Sequence, residues 1–589
     1  MNASVKRLMR YMGKDIFAFL LVTVLAITSN ILIFIGPRIL GQATDMIISG
    51  VQSISAGTGG IDFPRIAHIL LFLAGLYGLS CVFGLLQNHV MAGITASLSY
   101  RLRKDLSEKM HRLPLSYFDR TLRGDVLSRI TNDVDTLVQS LNQGLIQILT
   151  SVISLVGIII MMFMISWQLT LIALCVIPLF AVLISIISKK SSVHFKNQQE
   201  RLGDVNSLVE EMLGSHTLVK AFNGEEASLE KFDKNNISLY NSAWKANFFS
   251  GLMMPVIFII GNIGNVVICI AGGYYALKGA LTIGGIQAFL QYTRSFLQPI
   301  TQTANISNVF QQITASAERV FEFLNETEES ADADAAKKPS EERVESSPLV
   351  HFDHVRFGYD REKMIINDFS ADIKRGQKIA IVGPSGAGKT TLVKLLMRFY
   401  DVSGGAILLG GRDIRSFSRK ELRSVFGMVL QDTWLFSGSI AGNIRYGNPE
   451  ACDEEVRQAA RTAQADRFVR TLPEEYDLVL NEESGNISQG QKQLLTIARV
   501  VLADPEILIL DEATSNIDTH TELLIQQAMD NLMKGRTSFV IAHRLSTIRN
   551  ADLILVMNNG DIVEQGGHAE LLAKKGVYAS LYNSQFSPE

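Results

Sequence analysis

Residues 378–396 read KIAIVGPSGAGKTTLVKLL, an apolar run followed by a glycine-rich loop and a second apolar run. This order predicts a buried strand, a loop and a helix, the opening unit of an α/β domain. The loop matches the pattern G-x-x-x-x-G-K-T at every fixed position, and its glycines would let backbone N–H groups approach phosphate oxygens. We therefore predict phosphate binding by Gly383, Ser385, Gly386, Gly388, Lys389, Thr390 and Thr391.

Two carboxylates follow a second apolar strand downstream of this loop. Residues 507–510 read ILIL and lead into Asp511 and Glu512. A carboxylate at the end of a strand beside a phosphate loop is suited to hold magnesium, so Asp511 and Thr390 are predicted metal ligands. Glu512 would polarise the attacking water as a general base. The pair predicts hydrolysis of a bound nucleotide, although Glu512 taken alone is also compatible with an ordinary surface acid.

The first half of the chain has the hydropathy of a membrane domain. A helix needs about 20 apolar residues to cross the hydrocarbon layer. Six such stretches occur, near residues 16–36, 66–87, 145–166, 169–187, 252–277 and 283–305. With 47% hydrophobic and 19% charged residues, the composition indicates a membrane part joined to a soluble part. We predict a six-helix transmembrane bundle (1–324), a flexible linker rich in Glu, Asp, Ala, Ser and Lys (325–348) and an α/β P-loop ATPase domain (349–589).

The distribution of charge predicts orientation and excludes one class of partner. Cations precede the first span and fill two long segments, 88–144 and 189–250. Because positively charged flanks stay cytoplasmic, both termini and both long segments are predicted to lie inside the cell. The net charge of −3 lacks the basic footprint that nucleic-acid binding requires. We therefore expect a multi-pass integral membrane protein whose partners include the lipid bilayer and exclude nucleic acid.

The sixth stretch carries polar residues on one helical face. Their spacing of three, four or seven residues predicts that they avoid lipid. An arginine near mid-membrane costs about 2.5 to 3.5 kcal/mol on insertion scales, so it usually faces a partner or a water-filled cavity. The stripe either lines a substrate cavity or hydrogen-bonds neighbouring helices, and Asn262 and Asn265 carry the same ambiguity. The candidate substrate residues are Gln287, Gln291, Arg294 and Gln298, followed on the same face by Gln302 and Asn305.

Taken in order, these motifs resemble the ATP-binding cassette exporters whose membrane and ATPase domains are fused, and the resemblance covers almost the whole chain. The resemblance implies that Tyr359 in FGYD stacks on adenine, and that Gln431 in VLQDTWLF contacts magnesium and lies toward the membrane domain. His543 in IAHRLS would contact the γ-phosphate. The cofactors implied are ATP and Mg²⁺.

Further motifs of the same family occur in both halves. The family signature falls at ISQGQ, residues 487–491, where Ser488, Gly490 and Gln491 would face the phosphate of a partner subunit, and Asp518 in SNID would face the partner's ATPase domain. The membrane half resembles the family at Pro37, Gly41 and Asp45, in YFDRTLRGDVLSRITNDVD (117–135) and in QPI (298–300). Short coupling helices are expected near 115–121 and 218–226.

The signature departs from the usual LSGGQ, since Ile487 replaces Leu and Gln489 replaces the first Gly. In this family the signature of one subunit completes the nucleotide site of the other. A chain with a weak signature and an intact Glu512 therefore resembles the subunits of heterodimeric exporters, in which one of the two nucleotide sites is degenerate. We favour a heterodimer over a homodimer, although variants of this kind are also compatible with a competent site.

These features predict ATP-driven export of hydrophobic or amphipathic compounds (drugs, lipids or peptides) by alternating access, as one half of a dimeric transporter. The resemblance indicates the inner membrane of a bacterium. Import is disfavoured because the fused architecture and the long excursions resemble exporters. The alternative of another class is an ATP-gated channel or regulatory membrane protein built on the same fold.

Overall fold

A computed structural model describes residues 3–330, 348–360, 363–430, 433–481, 486–511, 518–542 and 545–586. The chain forms two compact units. One unit comprises Met1–His111 and Arg123–Glu326, and the other comprises Arg112–Leu122 and Thr327–Glu589. The membrane domain predicted from sequence, 1–324, includes residues 112–122, which this division places with the second unit. Hydrogen bonds of Asp119 and Arg120 join this short segment to the second unit.

Residues 3–325 form helices joined by short turns. A π-helical turn, Arg129–Asp133, joins the fifth helix to the sixth. In chain order the helices are α1 (Ala3–Met12), α2 (Ile16–Ser55), α3 (Phe63–Arg112), α4 (Leu115–Arg120), α5 (Arg123–Ser128), α6 (Val134–Ile165), α7 (Trp167–Gly214), α8 (His216–Ala221), α9 (Glu225–Gly251), α10 (Met253–Leu277) and α11 (Ile283–Asn325).

The helices contain the six predicted spans. Four helical stretches among the described residues are long and apolar enough to cross a membrane: Ile16–Ser55, Phe63–Arg112, Arg123–Ile165 and Glu225–Leu277. The other two predicted spans, 169–187 and 283–305, lie inside α7 and α11 and are helical throughout. The short helices expected near 115–121 and 218–226 are found as α4 and α8, the second ending earlier than expected at Ala221.

Two glycines bring α2 and α11 into backbone contact. A Cβ atom added to Gly41 would lie 2.5 Å from the carbonyl oxygen of Gly284, and one added to Gly284 would lie 1.9 Å from that of Gly41. Only glycine allows this approach. Next to it, the Asp45 carboxylate accepts a hydrogen bond of 2.7 Å from the Gly284 N–H at the start of α11. Gly41 and Asp45 therefore have a structural role in joining the first and sixth spans.

The strands of the second unit are β1 (Val350–Phe357), β2 (Ile366–Ile373), β3 (Lys378–Val382), β4 (Gly404–Leu409), β5 (Arg412–Asp413), β6 (Phe426–Val429), β7 (Gly438–Ser439), β8 (Val479–Leu480), β9 (Ile507–Asp511), β10 (Thr537–Ile541), β11 (Leu553–Asn558) and β12 (Asp561–Gly566). They form a six-stranded sheet in the order β12-β11-β3-β10-β9-β6 and a four-stranded antiparallel sheet in the order β2-β1-β4-β5. A two-stranded sheet pairs β7 with β8.

The helices within residues 389–586 follow the strands in the alternation typical of a parallel sheet. They are α12 (Lys389–Leu396), α13 (Arg419–Ser424), α14 (Ile440–Arg445), α15 (Asp453–Thr462), α16 (Asp466–Val469), α17 (Gln489–Ala503), α18 (Thr519–Met533), α19 (Leu545–Arg549), α20 (His568–Lys574) and α21 (Val577–Phe586).

The parallel strands of the large sheet are buried, which explains their apolar sequences. In β3 the side chains of Ile379 to Val382 are buried, and so are all five residues of β10. β10 lies between β3 and β9, and β6 pairs with the other edge of β9, all in parallel. Since parallel strands end at the same edge of a sheet, the segments that follow β3, β6, β9 and β10 all begin at one edge.

Candidate active site

The loop between β3 and α12 has the conformation that its glycines predict. Gly388, the residue before α12, has a φ of +99°, a conformation that residues with a side chain rarely adopt. A Cβ atom on Gly383 would lie 2.2 Å from the carbonyl oxygen of Met557 in β11. Substitution of either glycine would therefore displace the loop from the end of the sheet.

A cavity of about 490 Å³ opens above this loop. Among the described residues, its walls combine backbone of the loop, the Asp511 carboxylate and several aromatic rings. The predicted residues that line it are Tyr359, Gly383, Ser385, Gly386, Gly388, Lys389, Thr390, Thr391 and Asp511. Residues far apart in sequence thus meet at one site.

The ammonium group of Lys389 is held over the loop. Its Nζ atom donates to the carbonyl oxygen of Gly383 at 2.8 Å and to that of Pro384 at 3.0 Å. Burial lowers the pKa of Lys389, whereas the nearby Asp511 carboxylate acts in the opposite direction. An anionic ligand in the cavity would favour the charged form further, because an opposite charge compensates for lost solvation.

Tyr359 is half-buried at the cavity wall and fixed by aromatic neighbours. Its ring makes edge contacts with Phe357 at 5.0 Å and with Tyr400 at 5.1 Å between ring centres. Its hydroxyl lies 3.3 Å from the hydroxyl of Thr391 in α12. The ring is therefore oriented by contacts on more than one side, as a stacking platform for a planar base requires.

Three predicted catalytic residues, Glu512, Gln431 and His543, lie outside the described residues. The elements that precede them are described: β9 ends at Asp511, β6 ends at Val429 and β10 ends at Ile541. These three strands all end at the same edge of the sheet. Their roles stay predictions.

The signature residues lie at the start of α17 and do not line the cavity of their own chain. Ser488 caps the helix: its hydroxyl accepts from the Gln491 N–H at 3.3 Å, and its own N–H donates to the Gln491 side chain at 2.9 Å. Gln489, the departure from the usual signature, donates to the hydroxyl of Thr433 at 3.1 Å. Asp518 likewise caps α18, accepting from the Thr521 N–H at 2.9 Å.

The short helix α4 makes charged contacts with the wall of the site. The Asp119 carboxylate accepts from Lys394 in α12 at 2.9 Å and from the Tyr400 hydroxyl at 2.6 Å. Burial of Asp119 disfavours its charged form, but these two hydrogen bonds outweigh that effect and lower its pKa. Arg120 donates to the carbonyl oxygen of Tyr359 at 3.0 Å. A segment of the first excursion thus touches both the phosphate-loop helix and the predicted adenine platform.

Some residues of the cavity were not foreseen from sequence. Tyr578, Leu581 and Tyr582 of α21 line it. Tyr578 is buried, and its hydroxyl lies 2.7 Å from Nδ1 of His568. No motif marks this helix, since it reaches the cavity only through the tertiary fold.

The polar stripe of α11 divides into two groups. Gln287 accepts a hydrogen bond from Thr44, and Gln302 accepts one of 3.0 Å from Ser151, so these two residues join neighbouring helices. Gln291 is half-buried, and Arg294 and Gln298 are exposed. On α10, the side-chain oxygen of Asn265 is buried without a hydrogen-bond partner in the described part of the chain. The side chain of Asn305 lies outside the described residues.

The residues of the cavity fit a nucleoside triphosphate. The loop cannot carry a side chain at Gly383, the Lys389 ammonium lies over it, and Asp511 shares the cavity with Thr390. Loops of this form bind phosphate oxygens through backbone N–H groups. A bound triphosphate would supply the phosphoanhydride bond whose hydrolysis releases free energy.

Comparisons with known proteins agree with this geometry. The family model of the ABC transporter transmembrane region matches residues 19–300, and the ABC transporter model matches residues 366–515. The "Fatty acid ABC transporter ATP-binding/permease protein" of Mycobacterium tuberculosis is 43% identical over 609 residues, covering 98% of this chain and 96% of that protein. An "ATP-dependent lipid A-core flippase" of Syntrophus aciditrophicus is 37% identical over 503 residues, covering 85% of this chain and 83% of the flippase.

A solved structure resembles the chain over its full length. The structure, of a bacterial Atm1-family ABC exporter with ATP bound, superposes with a TM-score of 0.72 at 28% sequence identity and covers 100% of both chains.

Proposed function

The chain belongs to the ATP-binding cassette exporters and couples ATP hydrolysis to transport across a membrane; from this premise we propose that it exports fatty acids or similar amphipathic lipids as one half of a dimer. The observation that supports coupling between hydrolysis and transport is the contact of α4 with the site. Asp119 accepts a hydrogen bond from Lys394, and Arg120 donates one to the carbonyl oxygen of Tyr359. The lipid class is supported by the relative named for fatty acids and by the relative named for a lipid.

In the proposed site Lys389 binds the β- and γ-phosphates and Tyr359 stacks on adenine. Thr390, Asp511 and Gln431 would hold magnesium, which would neutralise charge on the phosphates. Glu512 takes a proton from the attacking water, and His543 contacts the γ-phosphate. The shared cavity supports the assignments of Tyr359, Lys389, Thr390 and Asp511, and the roles of Gln431, Glu512 and His543 rest on the sequence motifs.

We further propose that the functional unit is a heterodimer in which each nucleotide lies between one phosphate loop and the partner's signature helix. The altered signature residues Ile487 and Gln489 support this arrangement. Purification from the native membrane should recover a second, different half-transporter in equal amount. Recovery of this polypeptide alone would establish a homodimer instead.

The chain is an integral membrane protein, and we propose that it lies in a bacterial inner membrane with both termini in the cytoplasm. The cationic flanks of the first span and of the two excursions support this orientation. Protease accessibility of a tag at either terminus in inside-out vesicles would test it. Protection of a terminal tag in such vesicles would contradict it.

Arg294 is the proposed cavity-side substrate residue. Substitution Arg294→Ala should change the ratio of half-stimulating concentrations for acidic and neutral lipids by about tenfold, because a hydrogen bond to a charged group is lost. The measurement is ATPase stimulation of the reconstituted transporter across a panel of fatty acids, neutral lipids, drugs and peptides.

The matched control is Gln302→Ala, which removes a helix-joining residue of the same stripe. Unchanged preference in Arg294→Ala would assign the whole stripe to helix packing. A wild-type transporter that hydrolyses ATP but moves no compound of the panel would favour a gated channel over a pump.

A further inference from the structure

Arg38 is a cation on α2, two residues beyond the first predicted span, 16–36. On a helix that rises about 1.5 Å per residue, it lies roughly 33 Å beyond Ile16, where α2 begins. That length is about the thickness of the hydrocarbon core, so Arg38 lies near the membrane face opposite the N-terminus. Within the described ranges, no hydrogen bond or ion pair engages its guanidinium group.

Arg38 lines a cavity of about 300 Å³ within the first unit. Gln42, one turn along α2, lines the same cavity. The remaining wall includes the apolar side chains of Met164, Ile165 and Leu281. The volume is at the lower end for ligand pockets, which suits a polar head group and the first carbons of a chain.

The other charged group that lines this cavity, the Asp45 carboxylate, already has a hydrogen-bond partner. Its carboxylate accepts from the Gly284 N–H at 2.7 Å, where the positive end of the α11 dipole also stabilises it. Thr282 caps the same helix by accepting from the Gly285 N–H at 3.0 Å. Asp45 therefore completes the end of α11, whereas the Arg38 guanidinium group of the same cavity has no hydrogen-bond partner within the described residues.

We propose that Arg38 binds the carboxylate of a long-chain fatty acid on its way out of the transporter, an inference that rests on the proposed function. A guanidinium group matches a carboxylate through two parallel hydrogen bonds. A phosphate monoester carries about −1.5 to −2, and the Asp45 carboxylate in the same cavity would repel that charge more strongly than the single charge of a carboxylate. Arg294, roughly 16 Å along α11 from Ile283, is a second cation deeper in the span. The head group would thus meet Arg294 first and Arg38 last.

The test compares three lipids with the same chain: hexadecanoate, hexadecanol and hexadecyl phosphate. The intact transporter is reconstituted, and the half-stimulating concentration of each lipid for ATP hydrolysis is measured. Arg38→Gln should raise this concentration for hexadecanoate by about tenfold or more and leave that for hexadecanol unchanged. Arg38→Lys, which keeps the charge but loses the planar fork, should have an intermediate effect.

Arg65→Gln is the matched control, because it removes an exposed cation near the start of α3. An unchanged response to hexadecanoate in Arg38→Gln, or an equal loss for all three lipids, would overturn the proposal. A greater loss for hexadecyl phosphate would overturn the choice of a carboxylate. A wild-type transporter insensitive to every lipid would remove the proposed function itself, which is a different result from sensitivity without a role for Arg38.

Discussion

Substitution Glu512→Gln is expected to stop steady-state ATP hydrolysis, lowering kcat by about 10²- to 10⁴-fold, the range for loss of a general base. Glutamine keeps the size of the side chain but cannot take a proton from the attacking water. Binding of ATP should persist, because the phosphate loop and Lys389 are untouched. Phosphate release and retention of labelled ATP, measured on the purified transporter, check both expectations.

Glu506→Gln is the matched control for this variant. Glu506 precedes the same strand, β9, and forms a surface ion pair of 2.7 Å with Arg375. Surface pairs of this kind contribute little, so this variant should hydrolyse ATP at nearly the wild-type rate. Normal turnover in Glu512→Gln would remove Glu512 from the proposed role.

Reversal of charge at Asp119 is expected to weaken the coupling between the lipid and the ATPase site, so that lipid-stimulated ATP hydrolysis and transport fall together. Asp119→Lys would lose the hydrogen bonds from Lys394 and Tyr400 and would set two cations against each other. Coupling free energies between sites typically correspond to about 5- to 150-fold, and we expect lipid-stimulated hydrolysis and transport to fall by about tenfold or more. Both rates are measured in reconstituted vesicles.

A double variant tests whether the effect arises from the pair itself. Lys394→Asp combined with Asp119→Lys restores opposite charges and should recover part of the lost stimulation. Asp360→Asn is the control, since its ion pair with Arg120 is longer, at 3.5 Å, and exposed on both sides. Full stimulation in Asp119→Lys would show that α4 does not transmit the signal through this carboxylate.

The features that sequence predicted well are those that local chemistry specifies. The loop at 383–390 needs its glycines for backbone conformation and close approach, so the pattern of residues already contains the geometry. The strand leading into Asp511 is found as β9. The membrane spans were predictable because an apolar stretch of fixed length is required to cross lipid.

Features that depend on tertiary contacts were harder to predict. Residues 112–122 belong with the second unit because Asp119 and Arg120 find partners there, and their partners lie more than 200 positions away. Tyr578 reaches the cavity through the fold of α21 alone. The stripe on α11 mixes helix-joining Gln287 with exposed Arg294, a difference that helical spacing does not contain.

Transport driven by ATP is the central claim, and inside-out vesicles containing the correctly paired transporter test it most directly. The rate at which a fluorescent fatty acid accumulates in the vesicle lumen is measured with Mg²⁺ and ATP outside. The account predicts accumulation by the wild-type protein and none by Glu512→Gln. Accumulation at the same rate in Glu512→Gln, or ATP hydrolysis by the wild-type protein without movement of any lipid, would contradict it.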